Sequence, residues 1–408
     1  MSRIKIKNFG PIKEGFNEGD GFIDVKKVTV FIGSQGSGKS TVAKLISTMT
    51  WIEKALVRGD FTDRYVIQYN RFKKHLAYQN LSNYFHDDSF IEYIGDSFHL
   101  KFENNQFHVF PYGTTNKYSF PKIMYVPAER NFVSSVDRPD LLKRLPLPLY
   151  TFMDEFEDAK QRLNEVEKLP VGNVSFEYNK HSKKSFLVGS TYRLELLESS
   201  SGFQSLVPLV LVTRHLSEII KNKTSETKKE ISREEEETIR RTIAKAFEDK
   251  TISEDVLRVV LEQLSARFKY ESFINIVEEP EQNLYPDSQR IILHELLKYN
   301  NENINNKLIM TTHSPYLINY LTLAVKADMV KSNLNSEDSK KKLAEIVPLE
   351  STVKAEGLVI YEMNELDGTI KKLEDYKGLP SDDNELNSKL EDSNELFAQL
   401  QEIEKGWR

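Results

Sequence analysis

The chain has 408 residues, 39% of them apolar, enough for a sizeable core in one large domain with insertions or in two domains. Its 56 basic and 62 acidic residues leave a net charge of −6, which gives no global attraction to nucleic acid, though a local basic patch stays open. With no cysteine, disulfides, thiolate metal sites and a cysteine nucleophile are excluded.

The N-terminal stretch "MSRIKIKNFGPI" alternates charged and apolar residues and has no signal-peptide core. No apolar run approaches the roughly 20 residues of a membrane helix. The expectation is a soluble cytoplasmic protein with no membrane partner. "RIKIKNFGPI" reads as a strand that turns at Gly10-Pro11. "KKVTVFIGSQGSGKSTVAKL" reads as strand, glycine-rich turn and helix. Residues 60–120 are rich in Tyr, Phe and His and show no clear period. "KIMYVPAERN" is a short strand ending in a polar loop, and 150–168 has helical spacing. Two or three short strands follow over 174–197, then a helix over about 205–220. From Lys221 to Lys250 there are 9 basic and 8 acidic residues, the pattern of a helical insertion or solvated arm rather than a binding patch. "FINIVEEPEQNLYP" and "KLIMTTHSP" are buried strands with polar ends, and the helix "SQRIILHELLKYN" lies between them. The tail from about 370 is acidic and ends in a helical pattern.

Gly33-Ser34-Gln35-Gly36-Ser37-Gly38-Lys39-Ser40 fits GxxxxGK[ST] without a mismatch, with a strand before it and a helix, opening through Thr41, after it. The glycines let backbone N–H groups curl around a phosphate, and the helix N-terminus adds its positive end. Lys39 is placed to reach the β- and γ-phosphates of ATP, and the Ser40 hydroxyl to hold Mg²⁺. The bland alternative is an ordinary glycine turn before a helix.

Glu278 and Glu279 close an apolar strand, the end at which open α/β sheets bind ligands. Phosphoryl transfer needs one carboxylate near Mg²⁺ and one beside the attacking water. Adjacent strand residues face opposite ways, so Glu278 is read as the metal-side acid and Glu279 as the base. Otherwise the two are a surface acid pair. His313 ends the next strand and can reach a γ-phosphate or the water; alone, such a histidine is more often structural.

The order of these features resembles an ABC-type ATPase head: phosphate loop, "SSGFQ", strand-Glu-Glu-Pro, strand-Thr-Thr-His. The opening "IKIKNFGPI" and "EPEQNLYP" resemble its RecF, SMC and OLD-like branch. The resemblance is good over roughly 1–60 and 195–325. It implies an α/β fold, a mixed sheet with helices. The head would span 1–365, with a variable region at 60–195 and a helical insertion at about 217–268. An acidic C-terminal helical tail would follow at 366–408. It further implies that Ser200, Ser201, Gly202 and Gln204 form a signature motif. That motif would close over ATP held by a second copy, giving a homodimer or higher homo-oligomer. Two residues depart from the family pattern: Glu278 stands where Asp is usual, and Phe203 replaces a second signature glycine. Gln79 is one candidate for the Q-loop residue; "PAERN" offers Glu129 and Arg130 instead, or these two form a surface ion pair.

Within that branch the chain looks most like the stand-alone ATPases of bacterial anti-phage systems such as Septu and PARIS, on "YVPAERNF", "SSGFQSLVPL" and "EEPEQNLYP". That likeness implies a separate nuclease or toxin effector chain. The alternative is a DNA-repair or chromosome-maintenance head that binds nucleic acid directly. A transporter or translation-factor ATPase is a third class, and the first of these needs a membrane partner. Leu386, Leu390, Phe397, Leu400 and Trp407 recur at near-helical spacing on an acidic background, fit either to dock a partner or to pack on the chain's own head.

Overall fold

The computed structural model describes residues 2–60, 62–68, 70–112, 118–136, 145–163, 166–225 and 270–405. Strands are β1 (Arg3–Phe9), β2 (Gly15–Phe16), β3 (Ile23–Asp24), β4 (Val28–Gly33), β5 (Phe85–Ile94), β6 (Phe98–Glu103), β7 (Gln106–Pro111) and β8 (Pro121–Val126). After them come β9 (Glu167–Lys168), β10 (Ser175–Asn179), β11 (Lys184–Val188), β12 (Arg193–Glu195), β13 (Ser272–Glu278), β14 (Lys307–Thr311), β15 (Leu358–Met363) and β16 (Thr369–Lys372). The long helices are α1 (Lys39–Arg58), α2 (Leu147–Arg162), α3 (Ser201–Ser225), α4 (Pro286–Asn301), α5 (Pro315–Lys331) and α6 (Glu385–Lys405).

A seven-stranded sheet in the order β2-β16-β15-β4-β14-β13-β8 forms the centre. From β15 to β8 every pairing is parallel. β4 and β13 are buried along their whole length, as strands covered on both faces must be. Alternate residues of β4 feed two cores. Val28, Val30 and Ile32 pack with α2, α3, α4 and α5, whereas Phe31 packs with α1 and a second sheet.

That second sheet is antiparallel, in the order β3-β1-β5-β6-β7. β1 alternates buried and half-buried residues, the pattern of a strand with one dry face. Helix α1 lies between the two sheets and is buried almost all round. It stops at Gly59, whose left-handed backbone (φ 74°) turns its N–H back to the carbonyls of Ala55 and Leu56. Residues 85–111 resolve the aperiodic region into a hairpin meander. The first half of β5 is exposed and the second half alternates, so no single period runs through it. A small sheet, β12-β11-β10-β9, sits beside α2 at the periphery.

Three expectations change. The head does not stop at 365, because β16 adds an antiparallel strand to β15 and so belongs to the central sheet. The 150–168 helix ends at Arg162, and β9 takes up its last residues. The helix expected over 205–220 starts four residues earlier, at Ser201. Most of the expected insertion at 217–268 lies outside the described residues. Among the described residues no helix is long and apolar enough to cross a membrane.

Candidate functional site

The parallel register brings the strand ends to one edge. Gly33 is level with Met363, Phe31 with Thr311, Thr311 with Glu278, and Val277 with Val126. The segments that follow these strands, 34–38, 127–131, 279–285 and 312–314, therefore emerge side by side.

The glycine loop has the backbone its composition requires. Gly33, Gly36 and Gly38 all have positive φ (139°, 86° and 99°). A Cβ on Gly33 would stand 2.3 Å from the Met363 carbonyl oxygen, whereas one on Gly36 would meet nothing within 4 Å. The loop is thus tight against the sheet at its root and open at its tip. Helix α1 begins at Lys39, and its first intrahelical bond is Val42 N–H to Gly38 C=O, at 3.1 Å. The N–H groups of Lys39, Ser40 and Thr41 precede that bond, so the helix ladder does not use them. Lys39 Nζ donates to the carbonyls of Gly33 (2.8 Å) and Ser34 (2.7 Å) and lies 3.4 Å from Ser37 Oγ. Burial lowers its pKa to about 8, and among the carboxylates acting on it Glu279 opposes this most. A buried cation, N–H donors outside the helix ladder and an open glycine tip suit a polyphosphate.

Glu278 ends β13 with a buried side chain. One carboxylate oxygen accepts from Ala128 N–H at 3.2 Å; the other is buried without a well-formed hydrogen bond, with the Tyr125 hydroxyl as its neighbour. A buried carboxylate oxygen with hydrogen-bonding capacity to spare is what a metal-side acid would present. Among the described residues no group of three or more acids and histidines could hold a metal alone. An ion here would need Ser40, Glu278 and phosphate oxygens together.

Glu279 does not continue the pleat. Its N–H still bonds the Thr311 carbonyl (2.9 Å), but its backbone is left-handed (φ 44°), uncommon for a non-glycine residue and a mark of a constrained site. The two acids do face different surroundings, yet this turn separates them, not strand alternation. The Glu279 side chain is 36% exposed, and its Oε1 lies 3.5 Å from His313 Nε2. That contact, helped by Arg130 and Lys39, holds its carboxyl below the usual carboxylate range against partial burial.

Two supporting residues have roles that the motifs do not reveal. Arg130 is fully buried (0% exposed), which overturns the surface ion pair. Its guanidinium donates to the carbonyls of Glu278 (2.7 Å) and Glu279 (2.6 Å) and so fixes the backbone of both acids. Burial lowers even its pKa, to about 10. Glu129, its neighbour, is exposed. Glu281 accepts from Thr312 Oγ1 (2.7 Å) and His313 N–H (2.8 Å), tying the histidine loop to the acidic one. Burial raises its pKa. Gln79 is buried (1% exposed) with neither amide atom hydrogen-bonded, closed to a ligand as it stands.

Ser200 and Ser201 are exposed at the start of α3. A Cβ on Gly202 would lie 2.9 Å from the Asn283 carbonyl oxygen, and Ser205 Oγ bonds Gln282 Oε1 at 3.1 Å. The start of α3 therefore rests directly on the loop after Glu279. Gln204, expected to face a second copy, instead directs its Nε2 at the carbonyls of Leu197 (2.8 Å) and Ser199 (3.1 Å) and holds the preceding turn. Phe203 packs down against Gly172 and the core.

Two further acids reach the glycine loop from the C-terminal side. Glu365 accepts from Ser34 Oγ at 2.7 Å, and the carboxylate of Glu385, first residue of α6, acts on Lys39.

Residues 274–319 match a family described as "AAA domain, putative AbiEii toxin, Type IV TA system". The match takes in most of β13, both acids, α4, β14 and His313. No curated protein matches the chain. Among solved structures, it is similar to the SMC head domain from Thermotoga maritima at 11% identity, covering 92% of this chain and 98% of that one, with a TM-score of 0.33. It is also similar to an Smc head domain with an extended coiled coil, bound to the C-terminal domain of ScpA, derived from Pyrococcus furiosus. There the identity is 9%, the coverage 98% and 100%, and the TM-score 0.36. Those superpositions are loose, and the fold rests on the strand order and register given above. In fold, the chain is an α/β protein built on a mixed, mainly parallel sheet, with the glycine-rich phosphate-loop motif between β4 and α1.

Proposed function

We propose that the chain binds ATP with Mg²⁺ at Gly33–Thr41 and hydrolyses it, with Glu279 as the base. The observation that carries this is the setting of Glu279. Its backbone is turned out of the strand, Arg130 clamps it, and its carboxylate is ionised beside His313 at the sheet edge that also bears Lys39. ATP would bring the phosphoanhydride and Mg²⁺ the charge that offsets its oxygens, with Ser40 and Glu278 holding the ion. Lys39 would neutralise phosphate, Glu279 would take a proton from water, and His313 would steady that carboxylate. Ser200, Ser201 and Gly202, exposed or at the surface of the α3 turn, would complete the site of a second copy. ATP would then join two heads, and hydrolysis would release them.

This cytoplasmic ATPase would regulate or scaffold a separate nuclease or toxin effector in bacterial anti-phage defence. The toxin wording of the matched family and the resemblance to Septu and PARIS ATPases support that setting. The DNA-repair or chromosome-maintenance alternative requires ATP-dependent DNA binding that weakens steeply with salt, and the net charge of −6 does not favour it.

The test is ATP binding and turnover by three full-length proteins. Wild type binds and hydrolyses; Lys39→Ala loses binding. Glu279→Gln binds like wild type but turns over about 10²- to 10⁴-fold more slowly. Wild-type turnover by Glu279→Gln removes the base assignment, and unchanged affinity in Lys39→Ala removes the nucleotide site.

A further inference from the structure

Helix α6 leaves the head at a defined place. Glu385 N–H bonds the Glu362 carboxylate on β15, and Leu386 packs on the main core. Beyond it, Leu396, Phe397, Leu400 and Ile403 are 60%, 61%, 63% and 55% exposed. Spaced i, i+1, i+4 and i+7, they lie along one face of the helix. This part of the tail does not pack on its own head; the Leu390 side chain and Trp407 lie outside what the structure describes. Four adjacent open apolar side chains on one helix mark an interaction surface.

Charge selects the occupant. Residues 385–405 hold six acidic and two basic residues, a net of −4; Glu395 and Glu404 border the stripe, and Asp392 beside it is paired with Lys389 at 3.1 Å. A second copy would bring the same acids against it, where paired helices need complementary flanks. An anionic lipid surface and nucleic acid are repelled for the same reason; interfacial helices carry lysine and arginine on the polar face. We infer that Leu396, Phe397, Leu400 and Ile403 are the docking stripe for a separate protein whose apolar groove is rimmed by lysine and arginine. The surface stands on exposure and charge. Only its link to nucleotide state rests on the ATPase reading: the charge of Glu385 acts on Lys39, and Glu362 pairs with Ile32 just before the glycine loop.

The test places p-benzoyl-phenylalanine at position 397 of the full chain, expressed with the genes that flank its own. After irradiation the cross-linked residue is mapped. The captured chain is then purified and titrated against wild type and Leu400→Glu at two salt concentrations. Glutamate is a good helix former, so circular dichroism confirms that α6 persists. The account expects one heterologous chain, cross-linked at an apolar residue flanked by basic ones. Its binding should weaken with salt and fall at least tenfold in Leu400→Glu. Cross-links to a second copy, to the chain's own head or to no single chain overturn it. So does a captured chain that binds Leu400→Glu as well as wild type. ATP affinity is read on the same samples: Leu400→Glu should keep it, so failure of the docking surface and failure of the nucleotide site give separate signals.

Discussion

Lys39 is a cation whose charge depends on its surroundings. With two carbonyls for partners and little water, its pKa has fallen to about 8. A phosphate would favour the protonated form, so binding and protonation are linked. Below about pH 8 the lysine is already charged and affinity for ATP is flat. Above it, each binding event must also take up a proton. The dissociation constant should therefore rise about fivefold between pH 8 and pH 9. Titration calorimetry across that range checks the sign, and a constant affinity up to pH 10 would show that Lys39 does not meet the phosphate. Arg130 shows what residue-level reading misses. "PAERN" leaves Arg130 open between a Q-loop position and a surface ion pair, because nothing local reveals that its arginine crosses to the carbonyls of the next strand in the sheet. Its bonds to Glu278 and Glu279 span 148 and 149 residues of sequence. No periodicity or motif encodes such a contact.

At the scale of elements, the turn of α3 and the loop after Glu279 act as one piece. Gly202 has no room for a side chain against Asn283, and Ser205 bonds Gln282. A Gly202→Ala change must push α3 off that loop by a few tenths of an ångström. Overpacking of this kind costs about 1 kcal/mol of stability. A shift that small at a site built on positioning should slow hydrolysis about tenfold or more. ATP binding at the chain's own glycine loop should not change, and a parallel loss there would mean that the two regions are not separate. The elements next to a motif were the legible ones, since β4, α1, β13, α4 and β14 each join a clear period to a glycine, acid or histidine signal. β15 and β16 passed unread. "LVIYEM" is a short apolar run, which periodicity alone cannot assign to strand or helix. "TIKK" is half exposed and carries two lysines, so only its pairing with β15 makes it part of the sheet. The boundary drawn at 365 fell between these two strands for that reason.

For the whole molecule, two surfaces point away from the chain's own core. The exposed start of α3 suits a second copy, and the stripe on α6 suits a different protein. The central claim is that the site of one chain is completed by Ser201 and Gly202 of another. If so, two broken chains can repair each other. Lys39→Ala keeps an intact α3 start but binds no ATP, and Ser201→Arg keeps the glycine loop but blocks its partner's site. Neither should hydrolyse ATP alone. Mixed one to one, half of the dimers carry one intact composite site, so turnover should return to about a quarter of wild type. The measurement is steady-state ATP hydrolysis against mixing ratio at fixed total protein, with a maximum at equal amounts predicted. Full activity of Ser201→Arg alone, or no recovery at any ratio, would contradict completion of the site in trans.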